Sequence, residues 1–334
     1  MERAETYTGI QLFLQSARRV RPDLELCSEN LMAIARICTL VEGMPLGLEL
    51  AAVWAAVLEP DEIAGKIEES LDFLETDASD VPARQRSLRA VSDSSWNLLT
   101  EGEQQAVQRL SVFRGGFDRE GAEHAGKVPL NTLLVLVNKC WVQREAGGRF
   151  QIHELLRQDG AEKLARDPDL EAAARDQHSR YYCDWLSRQE VGIKGAEQQA
   201  VWDAIQSDIE NVRAACMWAA TQGRLRHLEQ AINTLGLFYW RGYGNCQQGE
   251  VTFSRLGEAL ARTEIWPSSA TADAQRTMAR ILMWQSSFSG LLGDDRKSAL
   301  LAQRSLGLLS TLPLAGQDIR SERAHIARQL GYAE

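Results

Sequence analysis

Apolar residues return every three or four positions along nearly all of this 334-residue chain, and that period dictates a mainly α fold. The stretch 8–19 puts Ile10, Phe13, Leu14 and Ala17 on one face. After Pro22-Asp23, Ser28 offers a cap for a helix over 29–41, whose stripe is Leu31, Ile34, Ala35 and Cys38. Gly43 and Pro45 interrupt the pattern. Residues 46–57 then resume it, apolar almost all round, which implies burial on most sides. Pro60-Asp61 opens a further helix over 62–74. The expected first unit is a helical domain over 1–80.

The polar stretch 76–86 marks a boundary, and the pattern changes after it. Thr100 followed by Glu103 is a capping box for a helix over 103–110. Asp118 caps a second helix towards Ala125, and Pro129 starts a third that runs through Leu133, Leu134, Leu136 and Val137. Two short strands over 141–144 and 149–152 flank Gly147-Gly148. Three helices and a hairpin give the winged-helix order over 86–165. Helix returns from His153 onward, with Asp167-Pro168-Asp169 as a hinge. Over 170–334 the helices pair as 225–240 with 247–260 and 273–292 with 296–309, and 320–330 begins another round. Such degenerate helical hairpins resemble tetratricopeptide arrays, an α-solenoid. The chain stops within a new round, so a truncated array with an uncapped end is expected.

The net charge of −9 argues against broad nonspecific binding to nucleic acid, which needs a basic surface to displace counterions. The third helix of the winged unit, 133–139, is apolar and nearly uncharged; it is expected in a core, and direct DNA binding is not expected. The six cysteines form no Cys-x-x-Cys pair and no zinc spacing, which suits a reducing compartment. No basic, apolar leader opens the chain, and no run reaches the roughly 20 apolar residues of a membrane span. A cytoplasmic location without membrane contact is expected. Of the nine tryptophans, Trp185, Trp202, Trp218, Trp240 and Trp284 fall on helical faces and are expected to pack between hairpins.

Two short motifs stand out chemically. In Gly43-Met44-Pro45 the glycine permits a sharp turn, and the proline offers a flat ring with no N–H. On those residues alone a plain helix corner is favoured. His153 sits between a strand and a helix, where capping or packing is the ordinary role. A helix N-terminus also favours an anion, and an imidazole can donate to one.

The segment Val41-Glu42-Gly43-Met44-Pro45-Leu46-Gly47-Leu48 resembles the Gly-Leu-Pro-Leu-Ala motif of STAND/NB-ARC signal-transduction ATPases. Met44 stands where leucine is usual. Gly47 stands where alanine is usual, and it loosens the helix start by about 1 kcal/mol. Ile152-His153-Glu154 is similar to that family's Met-His-Asp motif. Arg86-Ser87-Leu88-Arg89-Ala90, Ser95-Trp96-Asn97-Leu98-Leu99-Thr100 and Phe113-Arg114-Gly115-Gly116-Phe117 resemble its winged-helix region. Ser179-Arg180-Tyr181-Tyr182 and 208–215 resemble the junction with its sensor array, where helix packing is their expected role.

The resemblance implies a helical lid, a winged-helix brace and a tetratricopeptide-like sensor. Gly43, Pro45 and His153 would contact nucleotide, the proline on adenine and the histidine on the β-phosphate of ADP. No Gly-x-x-x-x-Gly-Lys-Ser/Thr phosphate loop occurs, and no other catalytic constellation is evident. The chain is therefore expected to be a fragment or truncated product: no enzyme by itself, holding ADP or ATP only when a P-loop domain completes the site. An inducer or protein is expected on the repeats. The alternative, from another class, is a free-standing interaction scaffold that works without nucleotide.

Overall fold

The computed structural model describes residues 7–27, 30–41, 43–69, 74, 93, 95–145, 147–242, 245–264, 266, 271–312, 320–329 and 331. The Ser28 cap, the 76–86 boundary and the 86–90 motif lie outside them. By internal contacts the chain divides into two units: Met1–Val112 with Lys127–Glu171, and Phe113–Gly126 with Ala172–Glu334.

The first unit begins with α1 (Thr8–Ala17), α2 (Leu31–Leu40), α3 (Pro45–Val53) and α4 (Pro60–Glu69), with one 3-10 turn, Trp54–Ala56, after α3. Their inward stripes close a core in which Phe13, Ile34, Ile37, Leu48 and Ile63 are completely buried. Each such side chain contributes about 1.5–3 kcal/mol. Proline occupies the first turn of α3, where its missing N–H costs no helical bond. Leu155, from much later in the chain, belongs to the same cluster.

Next come α5 (Glu101–Leu110), α6 (Leu130–Asn138), the hairpin β1 (Gln143–Arg144) with β2 (Phe150–Gln151), and α7 (Glu154–Ala165). The expected capping box is present: Glu103 N–H donates to Thr100 Oγ1, and Thr100 N–H donates to Glu103 Oε2 at 2.7 Å. The strands are shorter than expected. They pair antiparallel only at Gln143 with Gln151 and Arg144 with Phe150, across Gly147 and Gly148, which both take positive φ.

The third helix departs from expectation. Leu133 and Leu136 are buried in α6, but Leu130 and Leu134 are 53% and 58% exposed. The apolar run 133–137 shows that charge is missing there, not that the helix has neighbours all round.

In the second unit, 113–126 forms a strap ending in a single π turn, Gly121–Ala125, with Asp118 Oδ1 accepting from Gly121 N–H at 2.6 Å. It packs on α8 (Pro168–Arg188) and α11 (Ile209–Thr221). Phe113 meets His178 edge-on at 4.9 Å and Tyr182 at 6.1 Å. Asn211, fully buried, accepts from Arg114 N–H at 2.7 Å and donates to Gly116 O at 2.9 Å. The segments 179–182 and 208–215 thus carry out the packing expected of them. Between them lie α9 (Glu190–Lys194) and α10 (Gln198–Ser207).

The array continues as α12 (Leu225–Arg241), α13 (Cys246–Ala261), α14 (Ala272–Leu291), α15 (Asp295–Ser310) and α16 (Arg320–Gln329). Tyr239, Phe253, Trp284 and Phe288 form its aromatic spine; Trp284 stacks on Phe288 at 6.0 Å. Trp202 stacks on Phe238, whereas Trp240 is 46% exposed and does not pack between hairpins as expected. Among the described residues, no helix is long and apolar enough to cross a membrane.

Candidate functional site

The corner at Gly43 is built by its conformation. Gly43 has φ +69°, where a side chain is strained, and a β-carbon would meet nothing within 4 Å, so the turn rather than crowding calls for glycine. Its N–H returns to Cys38 O at 2.8 Å and that of Met44 to Val41 O at 2.9 Å, which closes the end of α2. Met44 is extended, with ψ 119°, and turns the chain into α3. It packs against the core of α1–α4, while Pro45 remains exposed.

His153 is at the N-cap of α7 and only 8% exposed. Its Nδ1 accepts from Leu155 N–H at 3.2 Å, which satisfies one of the helix's open donors. That bond requires a lone pair on Nδ1, so the proton of the neutral ring is on Nε2. Nε2–H is the ring's other polar group and is buried, so an anion would reach it only if its covering residues moved. Capping, the ordinary role for such a histidine, is the role seen here.

The neighbouring Glu154 holds Arg157 through two parallel bonds, Nε to Oε2 at 2.8 Å and Nη2 to Oε1 at 2.7 Å. Arg157 Nη1 donates to Ser111 O at 3.0 Å, tying α7 to the end of α5. The sequence singled out Glu154 but not Arg157; an arginine three residues after a glutamate on a helix was the available signal. Gly160 deepens the same crossing, because a β-carbon there would lie 3.2 Å from Val107 Cγ1 and 3.3 Å from Ser111 Cβ. Below it Lys163, 7% exposed, binds Asp93 at 2.9 Å and also Asp159, with its ammonium 5.0 Å from the Trp96 ring centre. This buried cation is compensated on three sides, as burial demands.

The first unit thus carries both predicted elements, each at a helix start. Pro45 begins α3 at the surface, and His153 begins α7 two residues before Leu155 enters the core of α1–α4. Among the described residues, no group of His, Cys, Asp and Glu is arranged to hold a metal ion.

Together these features define a mainly α protein with a four-helix first segment, one small two-stranded hairpin, and a solenoid of helical hairpins that also holds 113–126. No protein-family profile matches the chain. It is 30% identical over 263 residues to a protein of Mycobacterium tuberculosis H37Rv named provisionally as an HTH-type transcriptional regulator, covering 76% of this chain and 29% of that protein. A protein of Mycobacterium bovis with the same provisional name matches equally well. An uncharacterized protein of M. tuberculosis is 31% identical over 178 residues, 50% of this chain and 45% of its own length. The chain therefore spans less than a third of the regulators it matches. A STAND protein with a tetratricopeptide repeat sensor from Pyrococcus horikoshii aligns over 98% of this chain and 51% of its own, at 14% identity and TM-score 0.25. At that score the likeness carries no structural argument.

Proposed function

We propose that this chain is the regulatory and sensor portion of a STAND-type, nucleotide-switched signalling or transcriptional regulator. On this proposal ADP or ATP binds only when a P-loop domain completes the site, and the chain alone catalyses nothing. Pro45 then lies against the adenine at the Gly43 corner, and His153 Nε2–H donates to a phosphate. Exchange of nucleotide releases α7 from that contact, and the helical array couples the switch to an inducer or protein.

The observation that carries this proposal is the shared core: Leu155, just after His153, is buried with the lid residues of α1–α4 that support Pro45. A shift of α7 would therefore be felt in the lid. The regulatory names of the mycobacterial relatives point the same way.

The test is calorimetric titration with ADP, on the chain alone and mixed with the P-loop domain of a homologue. Binding that needs the added domain and falls at least about tenfold in His153→Ala supports the switch; tenfold corresponds to about 1.4 kcal/mol. Binding unaffected by His153→Ala, or none in the mixture, leaves His153 as a helix cap alone.

A further inference from the structure

On the α12, α14 and α16 side of the array lies a cavity of about 340 Å³, at the lower end of the size of small-ligand sites. Three carboxylates, Glu190, Glu229 and Glu322, and three cations, Lys194, Arg276 and Arg280, line it. Ile232, Met283 and Trp284 supply an apolar wall.

The charges balance in number but not in pairing. Glu190 is engaged by Lys194 and by Asn233. Arg276 Nη2 and Arg280 Nε both donate to one oxygen, Glu322 Oε1, at 3.1 and 2.9 Å. Glu322 thus answers two guanidinium groups at once. Arg280 uses Nε and Nη2 on Glu322, and a guanidinium has a second edge through Nη1.

Glu229 is the opposite case. Its Oε1 is buried and accepts no hydrogen bond among the described residues. Desolvation raises the pKa of this carboxyl, against the pull of Arg280. The cavity thus presents an under-compensated carboxylate and a doubly cationic cluster together in its lining. The indole of Trp284, 2% exposed, lines the same space, and its Nε1 also has no acceptor among the described residues.

A ligand with net charge would unbalance this cavity, whereas a zwitterion would answer both kinds of group. We infer that the cavity binds a small neutral zwitterion with one ammonium and one carboxylate, an α-amino acid in the simplest case. Glu229 takes the ammonium, and the Arg276–Arg280 pair takes the carboxylate. Ile232, Met283 and Trp284 contact the ligand's side chain and set its preference for apolar groups. This gives the array a ligand class under the sensor role proposed above, but binding itself needs neither nucleotide nor a P-loop domain.

The test is calorimetry on the full chain, without nucleotide, using the free L-α-amino acids one at a time. At least one is expected to bind saturably with Kd below about 1 mM. Its carboxamide and its N-acetyl derivative should each bind at least about tenfold more weakly. Glu229→Gln should cost a similar factor while leaving the thermal midpoint equal or higher, because it removes a half-desolvated charge. The derivatives test both charges on the unmodified chain, whatever the variant does to folding. No saturable binding by any amino acid, equal binding by the blocked forms, or unchanged affinity in a folded Glu229→Gln overturns the assignment. Amino-acid binding without ADP binding in the mixed experiment would sink the nucleotide switch and leave this site standing; the reverse would do the opposite.

Discussion

Replacing Gly236 with alanine in α12 sets two opposed effects against each other. In an isolated helix the change is favourable, by about 1 kcal/mol, because alanine loses less backbone entropy. Here a β-carbon would lie 2.2 Å from Trp284 Cδ2 and Cε2 and 2.6 Å from Nε1, more than 1 Å inside ordinary contact. The indole has little room to retreat. It stacks on Phe288 at 6.0 Å, lies 6.4 Å from Phe253 and meets His325 edge-on at 5.2 Å. Overpacking of this kind costs about 1–3 kcal/mol, and a clash this deep with a clamped ring belongs at the upper end or above.

The expected net loss is about 2 kcal/mol after the helical gain. Gly307→Ala in α15 is the control. A β-carbon there meets nothing within 4 Å, so it should stabilise by up to about 1 kcal/mol. Urea unfolding followed by tryptophan fluorescence measures both, with the slope checked for constancy. In a Trp284→Ala background, Gly236→Ala should turn neutral or stabilising, a coupling of about 2–3 kcal/mol. If Gly236→Ala is as stable as the parent, or its cost persists without Trp284, the close approach does not determine this position.

His178 gives a pH signature. Burial lowers its pKa from 6.5 to about 4, so the folded state prefers the neutral ring. The stabilisation is full above pH 6.5 and is lost as pH falls towards 4, by up to about 3 kcal/mol. His178→Gln should flatten this slope in urea titrations at several pH values; an unchanged slope refutes the assignment. Asn211→Ala should destabilise by about 2–4 kcal/mol, since it removes the bonds to Arg114 N–H, Gly116 O and Asp208 from a dry site. Hydrogen exchange should then rise across 113–118, and exchange confined to α11 would contradict the strap's dependence on Asn211. Thr100→Ala removes the capping box of α5 and should cost about 1 kcal/mol by urea unfolding; no change would mean that the Glu103 arm holds the cap alone.

Local signals in the sequence were the reliable ones. Thr100 and Glu103, Asp118, Pro45 and Pro60 act within one turn of themselves, and helix starts appeared where these residues stood. The paired helices of the array were legible because each buries one continuous stripe. What depended on neighbours was not. Leu130 and Leu134 read like Leu133 and Leu136, yet only the latter pair is covered. The three-sided hold on Lys163 joins positions seventy residues apart and leaves no pattern in either segment. Nor did Gly236 announce itself, since a glycine in a helix looks like a weakness until Trp284 is seen against it. At the candidate site, Gly43, Pro45 and His153 were legible as helix boundaries; Arg157, which secures the helix behind His153, was not.

The strap at 113–126 bears on inheritance. Its Phe113, Arg114 and Gly116 belong by contact to the array, although more than forty residues of the other unit intervene before the array resumes at Ala172. A gene cut once near codon 172 would deliver helices without the piece that covers α8 and α11. The array is therefore not a cassette that recombination can move with one crossover. A lineage that exchanges its helical array must carry the strap along or evolve a replacement for it, so strap and array should diverge together.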